Sequence, residues 1–299
     1  RVRPPLVNDD AASDTHGAMT DRIDIAQVAV HKATADASAT DEVAHLDVVV
    51  VEEPLEIRVD GQALAVLMRT PGRDRDLTAG FLLTEGVIDV PGDMQSLGPC
   101  TDPNRPNAGN VFLVQLAPGC PDATERLAAA QRQFYASSSC GLCGKATIES
   151  IHQRVTPHAA FRDLPHALLA ATGDRARGAQ DLFAQTGGCH GAVAFALDGA
   201  ADILASAEDV GRHNAVDKVA GTLLLDDALP QQDALLWVSG RASFEMVQKA
   251  LMAGFAALVC VGAPTSLAVE MARESRLTLV GFATGPKRYN VYAGAVTDE

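Results

Sequence analysis

The sequence predicts an α/β protein: a larger C-terminal domain built on a parallel sheet, preceded by a smaller α+β domain. Three observations carry this. After residue 233, short apolar strands alternate with helical stretches, as in "ALLWVSGRASFEMVQKALMAGFAALVCVGAPTSLAVEMARESRLTLVGF"; parallel neighbours need such crossovers, which run right-handed. Between His45 and Tyr135, apolar residues instead come in short alternating bursts, which suits strands. Hydrophobic residues make up 47% of the 299 positions but aromatics only 4%, so small and aliphatic side chains must pack helices closely on sheets.

In chain order, residues 1–43 are polar, Ala/Asp/Thr-rich and weakly periodic, and read as a mostly disordered tail. Residues 44–135 read as the small domain. "LDVVVVEE", "LEIRVDG" and "ALAVLMRT" are strands, with a hairpin turn at Asp60-Gly61. "RDRDLTAGFLLTEG" is a helix stopped by Gly86, "NVFLVQLA" a strand and "TERLAAAQRQFY" a helix. Residues 136–150 hold "SSSCGLCGK", a Ser/Gly-rich stretch expected to be a mobile loop. Residues 151–299 form the C-terminal domain. A helix is expected over 168–185, a hairpin in "AVAFALDGAADILAS" turning at Asp198-Gly199, and a helix over 214–225. Strands follow at 234–238, 257–261 and 277–282, with helices at 244–254 and 267–275.

A formal charge of −14 argues against nucleic acid as partner, because phosphate backbones need a basic surface. No apolar run is long enough for a membrane span, and residues 1–20 lack the apolar core of a signal peptide. A cytoplasmic location is the expectation. The six cysteines are too thinly spread for a disulfide scaffold, and Cys260 in "ALVCVGA" reads as a core thiol.

In a parallel sheet the strand C-termini share one edge, where ligands bind. The turns "SGRAS", "GAPTS" and "TGPKR" must therefore cluster. Each offers backbone N–H groups, and the first two open helices whose positive ends favour anions. Arg241, Lys287, Ser243, Thr265 and Ser266 add charge or hydroxyls, and Arg212 and His213 begin another helix that can join them. A pocket for a phosphate-bearing ligand is the physical expectation. The plainer reading is that Ser, Thr and Gly cap helices for stability alone. His213 and Asp217, four apart, are placed to share a helix-face contact. Neither a Rossmann nor a Walker motif is present.

Cys140 and Cys143 supply two of the four ligands a structural zinc site needs; Cys189-His190 is the one candidate completion. A redox pair usually starts a helix directly after a strand, whereas here the preceding segment is helical. An accessible thiol also suits sulfur transfer, where a thiolate attacks sulfur and Lys145 can help lower the thiol pKa.

The markers "EEPLEIRVDG", "GFLLTEGVI", "SSSCGLCGK", "EDVGRHNAVDK", "SGRASFEMVQKA", "GAPTSLAVEMA" and "GFATGPKRYNVY" together resemble the formate dehydrogenase accessory sulfurtransferases, over nearly all of residues 46–293. The resemblance implies that sulfur passes as a persulfide from a cysteine desulfurase to Cys140, assisted by Cys143. From there it goes to a molybdenum (or tungsten) bis(pterin guanine dinucleotide) cofactor before that cofactor enters the formate dehydrogenase apoenzyme. It implies contact with the cofactor by Phe282, Ala283, Thr284, Gly285, Pro286 and Lys287; Arg241, read from the first turn, is the cation expected to join them. It also implies a cytidine-deaminase-like C-terminal domain, a homodimer, and no metal held by protein side chains. Deamination itself is not expected: the helix starts read "RHNAVD" and "SGRASFE", without the cysteine ligands or the HxE of a zinc deaminase. Two other readings stay open: a chaperone that binds and delivers the cofactor without sulfur chemistry, and a zinc-binding module.

Overall fold

The computed structural model describes residues 23–30, 45–138, 155–229, 232–285 and 288–298. The small domain centres on a four-stranded sheet of order β4-β3-β6-β5. Its strands are β3 (Glu53–Val59), β4 (Gln62–Arg69), β5 (Met94–Pro99) and β6 (Val111–Leu116). β3 and β4 form the expected hairpin. Asp60 and Gly61 at its turn have φ of 47° and 78°, the left-handed pair that matches the strand twist. Helix α1 (Asp74–Thr84) ends as expected at Gly86. The N–H of Gly86 bonds to Leu83 O and that of Val87 to Leu82 O, which satisfies the last carbonyls. Helix α2 (Ala123–Ser138) follows β6.

The larger part is a six-stranded sheet, β13-β12-β11-β10-β8-β9. β8 (His190–Ala196) and β9 (Ile203–Asp209) are the expected hairpin, and β10 (Ala234–Val238), β11 (Ala257–Cys260) and β12 (Thr278–Gly285) run parallel. β8 is antiparallel to β10, and β13 (Arg288–Ala293) to β12. Helix α3 (His166–Gly178) packs its Leu168, Leu169 and Ala176 on one sheet face, against Val193, Phe195, Leu235, Trp237 and Val259. The opposite face carries α5 (Arg212–Leu225), α6 (Phe244–Met252) and α7 (Ser266–Glu274).

Several expectations need correction. Within the stretch read as a tail, β1 (Ile25–Val30) pairs antiparallel with β2 (His45–Val50). The helix expected over 168–185 is two, α3 and α4 (Asp181–Thr186). The break occurs because the Glu208 carboxylate on β9 accepts the N–H groups of Leu182 and Phe183, which lets a new helix start there. β5 and β13 were missed; "MQSLGP" is too polar and Gly/Pro-rich to read as a strand. Two-residue strands β7 (Leu164–Pro165) and β14 (Val296–Thr297) pair in parallel.

One apolar core runs through both parts, from Leu55, Ile57 and Leu77 to Val216, Met246 and Leu279. Its seam is the crossing of α1 over α5 at Gly80 and Gly221, where the two backbones touch. A Cβ on Gly80 would lie 1.8 Å from Asp217 O, and one on Gly221 1.8 Å from Asp76 O. Charges are locked across the same seam. Lys249 Nζ bonds Thr84 Oγ1, Glu85 and both oxygens of buried Asp217. Lys218 Nζ meets Asp209 at 2.7 Å with both side chains buried, and Asp209 also accepts the Thr70 N–H.

Candidate functional site

The three turns after β10, β11 and within β12 are tied to one another by backbone. Gly262 N donates to Gly240 O at 2.9 Å, Thr265 N to Ala242 O at 2.9 Å, and Phe282 N to Gly262 O at 3.1 Å. The first two expected turns are thus joined by direct hydrogen bonds and tied to Phe282 of β12, whereas the third, "TGPKR", is only partly among the described residues. The fit is tight at Gly262: a Cβ there would stand 2.8 Å from Arg241 Cγ and 3.0 Å from Gly240 O. The stem of Arg241 thus lies over the next turn, in an otherwise exposed residue.

Phe282 adopts a left-handed backbone (φ 55°) with its ring 41% exposed. That conformation is costly for an aromatic residue and is held here by the bond to Gly262 O. Ala283, Thr284 and Gly285 continue along the irregular end of β12, where Gly285 pairs with Arg288. Pro286, Lys287, Cys140, Cys143 and Lys145 lie outside the described residues.

The edge extends further than the turns. Arg212 reaches it: a Cβ on Gly240 would meet Arg212 Cδ at 3.5 Å and His190 Nδ1 at 4.0 Å. His190 starts β8 beside the end of β10 and was read in the sequence only as a zinc candidate. Ser239 Oγ accepts the Gly191 N–H at 3.1 Å and lies 3.2 Å from His190 Nδ1. Burial, then the charges of Arg212 and His213, pull the His190 pKa below the ordinary histidine value. His190 is thus a neutral N–H donor near pH 7.

His213 does not meet Asp217, which faces Lys249 and Thr84 in the interior. It meets Glu245 on α6 instead, with Nε2 2.9 Å from Oε2. Sequence reasoning missed the roles of Glu245 and of Ser239, although Ser239 opens the turn "SGRAS", and gave His190 only as a zinc candidate. Thr265 matches the plainer capping role, its hydroxyl accepting the Ala268 N–H. Ser243 does not: it occupies the cap position of α6 without a side-chain cap bond.

Cys189, named in the zinc reading with Cys140 and Cys143, directly precedes β8. Its thiol is buried and donates to Glu208 at 3.3 Å, and burial together with the Glu208 charge pushes its pKa up to about 12. Among the described residues no group of three or more His, Cys, Asp or Glu is arranged to hold a metal ion. Cys260 is fully buried and its pKa is raised by that burial. Iodoacetamide treatment of native protein at pH 8, mapped by peptide mass, is therefore expected to leave Cys189 and Cys260 unmodified and to label both after denaturation.

Two clefts of about 470 and 490 Å³ flank the 70–74 turn, away from the sheet edge. Their charged walls are engaged elsewhere: Arg69 with Asp74 and Asn110, Arg73 with Asp76 and Ser206 O, Lys218 with Asp209. The edge, where Arg241, Arg212 and His190 gather, is the better ligand site. Among the described residues no helix is long and apolar enough to cross a membrane.

Residues 50–297 match the model of the FdhD/NarQ family. The chain is 48% identical over 257 residues to the sulfur carrier protein FdhD of Streptomyces avermitilis, covering 83% of this chain and 88% of that one. It is 45% identical over 274 residues to the sulfur carrier protein FdhD of Mycobacterium tuberculosis, covering 89% and 96%. The fold is similar to the crystal structure of a proposed formate dehydrogenase accessory protein from Desulfotalea psychrophila. That match has a TM-score of 0.67 at 23% identity, covering 90% of this chain and 97% of the other.

Proposed function

Because this chain belongs to the FdhD/NarQ family, we propose that it is a sulfur carrier serving formate dehydrogenase. Sulfur enters as a persulfide on Cys140, delivered by a cysteine desulfurase, with Cys143 assisting. It leaves to a molybdenum or tungsten bis(pterin guanine dinucleotide) cofactor, here a substrate, before that cofactor enters the apoenzyme. The protein acts in the cytoplasm as a homodimer. The observation that carries this reading is the hydrogen-bonded row of turns with Arg241 and Phe282 on it.

The edge fits such a substrate. Each dinucleotide arm bears a pyrophosphate, and Arg241, Arg212 and the starts of α6 and α7 supply cations and N–H donors for anions. The ring of Phe282 offers a flat face to a planar base, and residues 283–287 complete the contact. Sulfur is handed over when the Cys143 thiolate attacks the Cys140 sulfur of the persulfide: the Cys140–Cys143 disulfide forms, the bond to the outer sulfur breaks, and hydrosulfide leaves for the substrate. The run β9-β8-β10-β11-β12, with β8 antiparallel to both neighbours, supports a cytidine-deaminase-like layout for this domain.

Incubation with a desulfurase and cysteine should add the mass of sulfur to Cys140, and the Cys140→Ala variant should fail to activate formate dehydrogenase. No added sulfur, with Cys140→Ala still active, rejects the transferase. If that variant also binds guanine nucleotide, the protein is a carrier of the cofactor rather than of sulfur.

A further inference from the structure

Among the described residues four buried side-chain polar atoms lack an aligned hydrogen-bond partner: Arg126 Nη1, Trp237 Nε1, His213 Nε2 and Ser243 Oγ. Buried polar atoms are nearly always satisfied, so each exception calls for a cause. The last two stand at the starts of α5 and α6, and Glu245, in the first turn of α6, reaches His213. It follows Ser243 by two positions and brings Oε2 to 2.9 Å from His213 Nε2, as an ion-pair contact rather than an aligned hydrogen bond.

The Glu245 side chain is 56% exposed and that of His213 30%, so the carboxylate can leave for solvent while the imidazole stays. The His213 contact holds the Glu245 carboxyl below the usual range; burial opposes this, and Lys249 and Arg212 add to it. A carboxylate in a first helical turn stabilises its own helix. That role alone does not require it to reach across to a second helix.

We propose that Glu245 is a resident anion, seated on His213 where a phosphate of the incoming ligand binds, and displaced by it with Ser243 Oγ as a second donor. The inference rests on reading the edge as the site of a phosphate-bearing substrate. A phosphate suits the seat better than a carboxylate. His213, Ser243 and the guanidinium of Arg212 offer separate donors for its several oxygens. The resident carboxylate keeps the seat closed to weaker anions and makes the ligand compete for entry.

The test is calorimetric titration of guanosine diphosphate into the full chain and three variants, each checked for native circular dichroism. Glu245→Gln should bind about tenfold tighter, as expected on removing a like charge at a part-exposed site. His213→Gln and Ser243→Ala should bind more weakly, and the Glu245→Gln gain should vanish when His213→Gln is also present. Wild-type binding with Glu245→Gln unchanged or weaker overturns the resident-anion proposal alone. No nucleotide binding by the wild type overturns the reading of the edge and this proposal with it.

Discussion

Gly80→Ala is expected to cost about 3–4 kcal/mol of folding stability and to lower the thermal midpoint by about 10 °C. The new methyl would sit 1.8 Å from Asp217 O and 2.7 Å from Gly221 N. Both are backbone atoms held inside a helix, so no side-chain rotation relieves the clash. α1 and α5 must separate, opening the buried seam around Leu77, Val216 and Ala220. Gly221→Ala should act alike, because its Cβ would strike Asp76 O at the same distance. Gly119→Ala is the control: nothing lies within 4 Å of its Cβ position, and its cost should stay within about 0.5 kcal/mol. Urea unfolding of the three variants decides the matter. Equal stability of Gly80→Ala and Gly119→Ala would mean that the helices do not cross this closely.

Lys249→Met should cost about 3–5 kcal/mol, because it leaves the Asp217 carboxylate buried without its countercharge. Adding Asp217→Asn should restore at least half of that loss, since pair replacement spares the buried charge. The pH response gives a second check. Burial raises the Asp217 pKa above the ordinary carboxylate value, and Lys249 is the largest influence holding it down. Without Lys249 the folded-state pKa climbs further above the unfolded one. A group shifted upward in this way gives its full stabilisation below the unfolded pKa, about 4, and loses it as pH rises through the folded pKa. Lys249→Met should therefore be less impaired at pH 5 than at pH 8, and Lys249→Met/Asp217→Asn should lose that difference. An unfolding free energy for Lys249→Met that falls toward pH 5 would contradict this account.

Much of the fold was legible because its signals are local. β10 was read to the residue from "ALLWV", and the Asp60-Gly61 and Gly86 stops follow from turn and cap chemistry alone. What was missed depends on partners distant in sequence. The division of α3 from α4 depends on Glu208, more than twenty residues later, whose carboxylate starts the second helix. β1 is a strand because β2 lies beside it. The site divides in the same way. Arg241 announced itself through a glycine-rich turn after an apolar strand and Phe282 only through the family resemblance, whereas His190 and Glu245 join the edge through sheet order and helix convergence, which no short motif encodes. The position of "EDVGRHNAVDK" is instructive. Its Asp209, Asn214 and Lys218 bind Thr70 and Met68 of the small domain and hold the fold, while only Arg212 and His213 turn to the edge.

The hydrogen bonds running from Gly240 through Gly262 to Phe282 have a thermodynamic consequence. Loops that are free in solution lose conformational entropy when a ligand gathers them, and affinity falls by that amount. Here the gathering is complete once the chain has folded. Any ligand lying across Gly240, Gly262 and Phe282 would meet a preorganised plate, with its binding free energy spent on orientation rather than on ordering these residues.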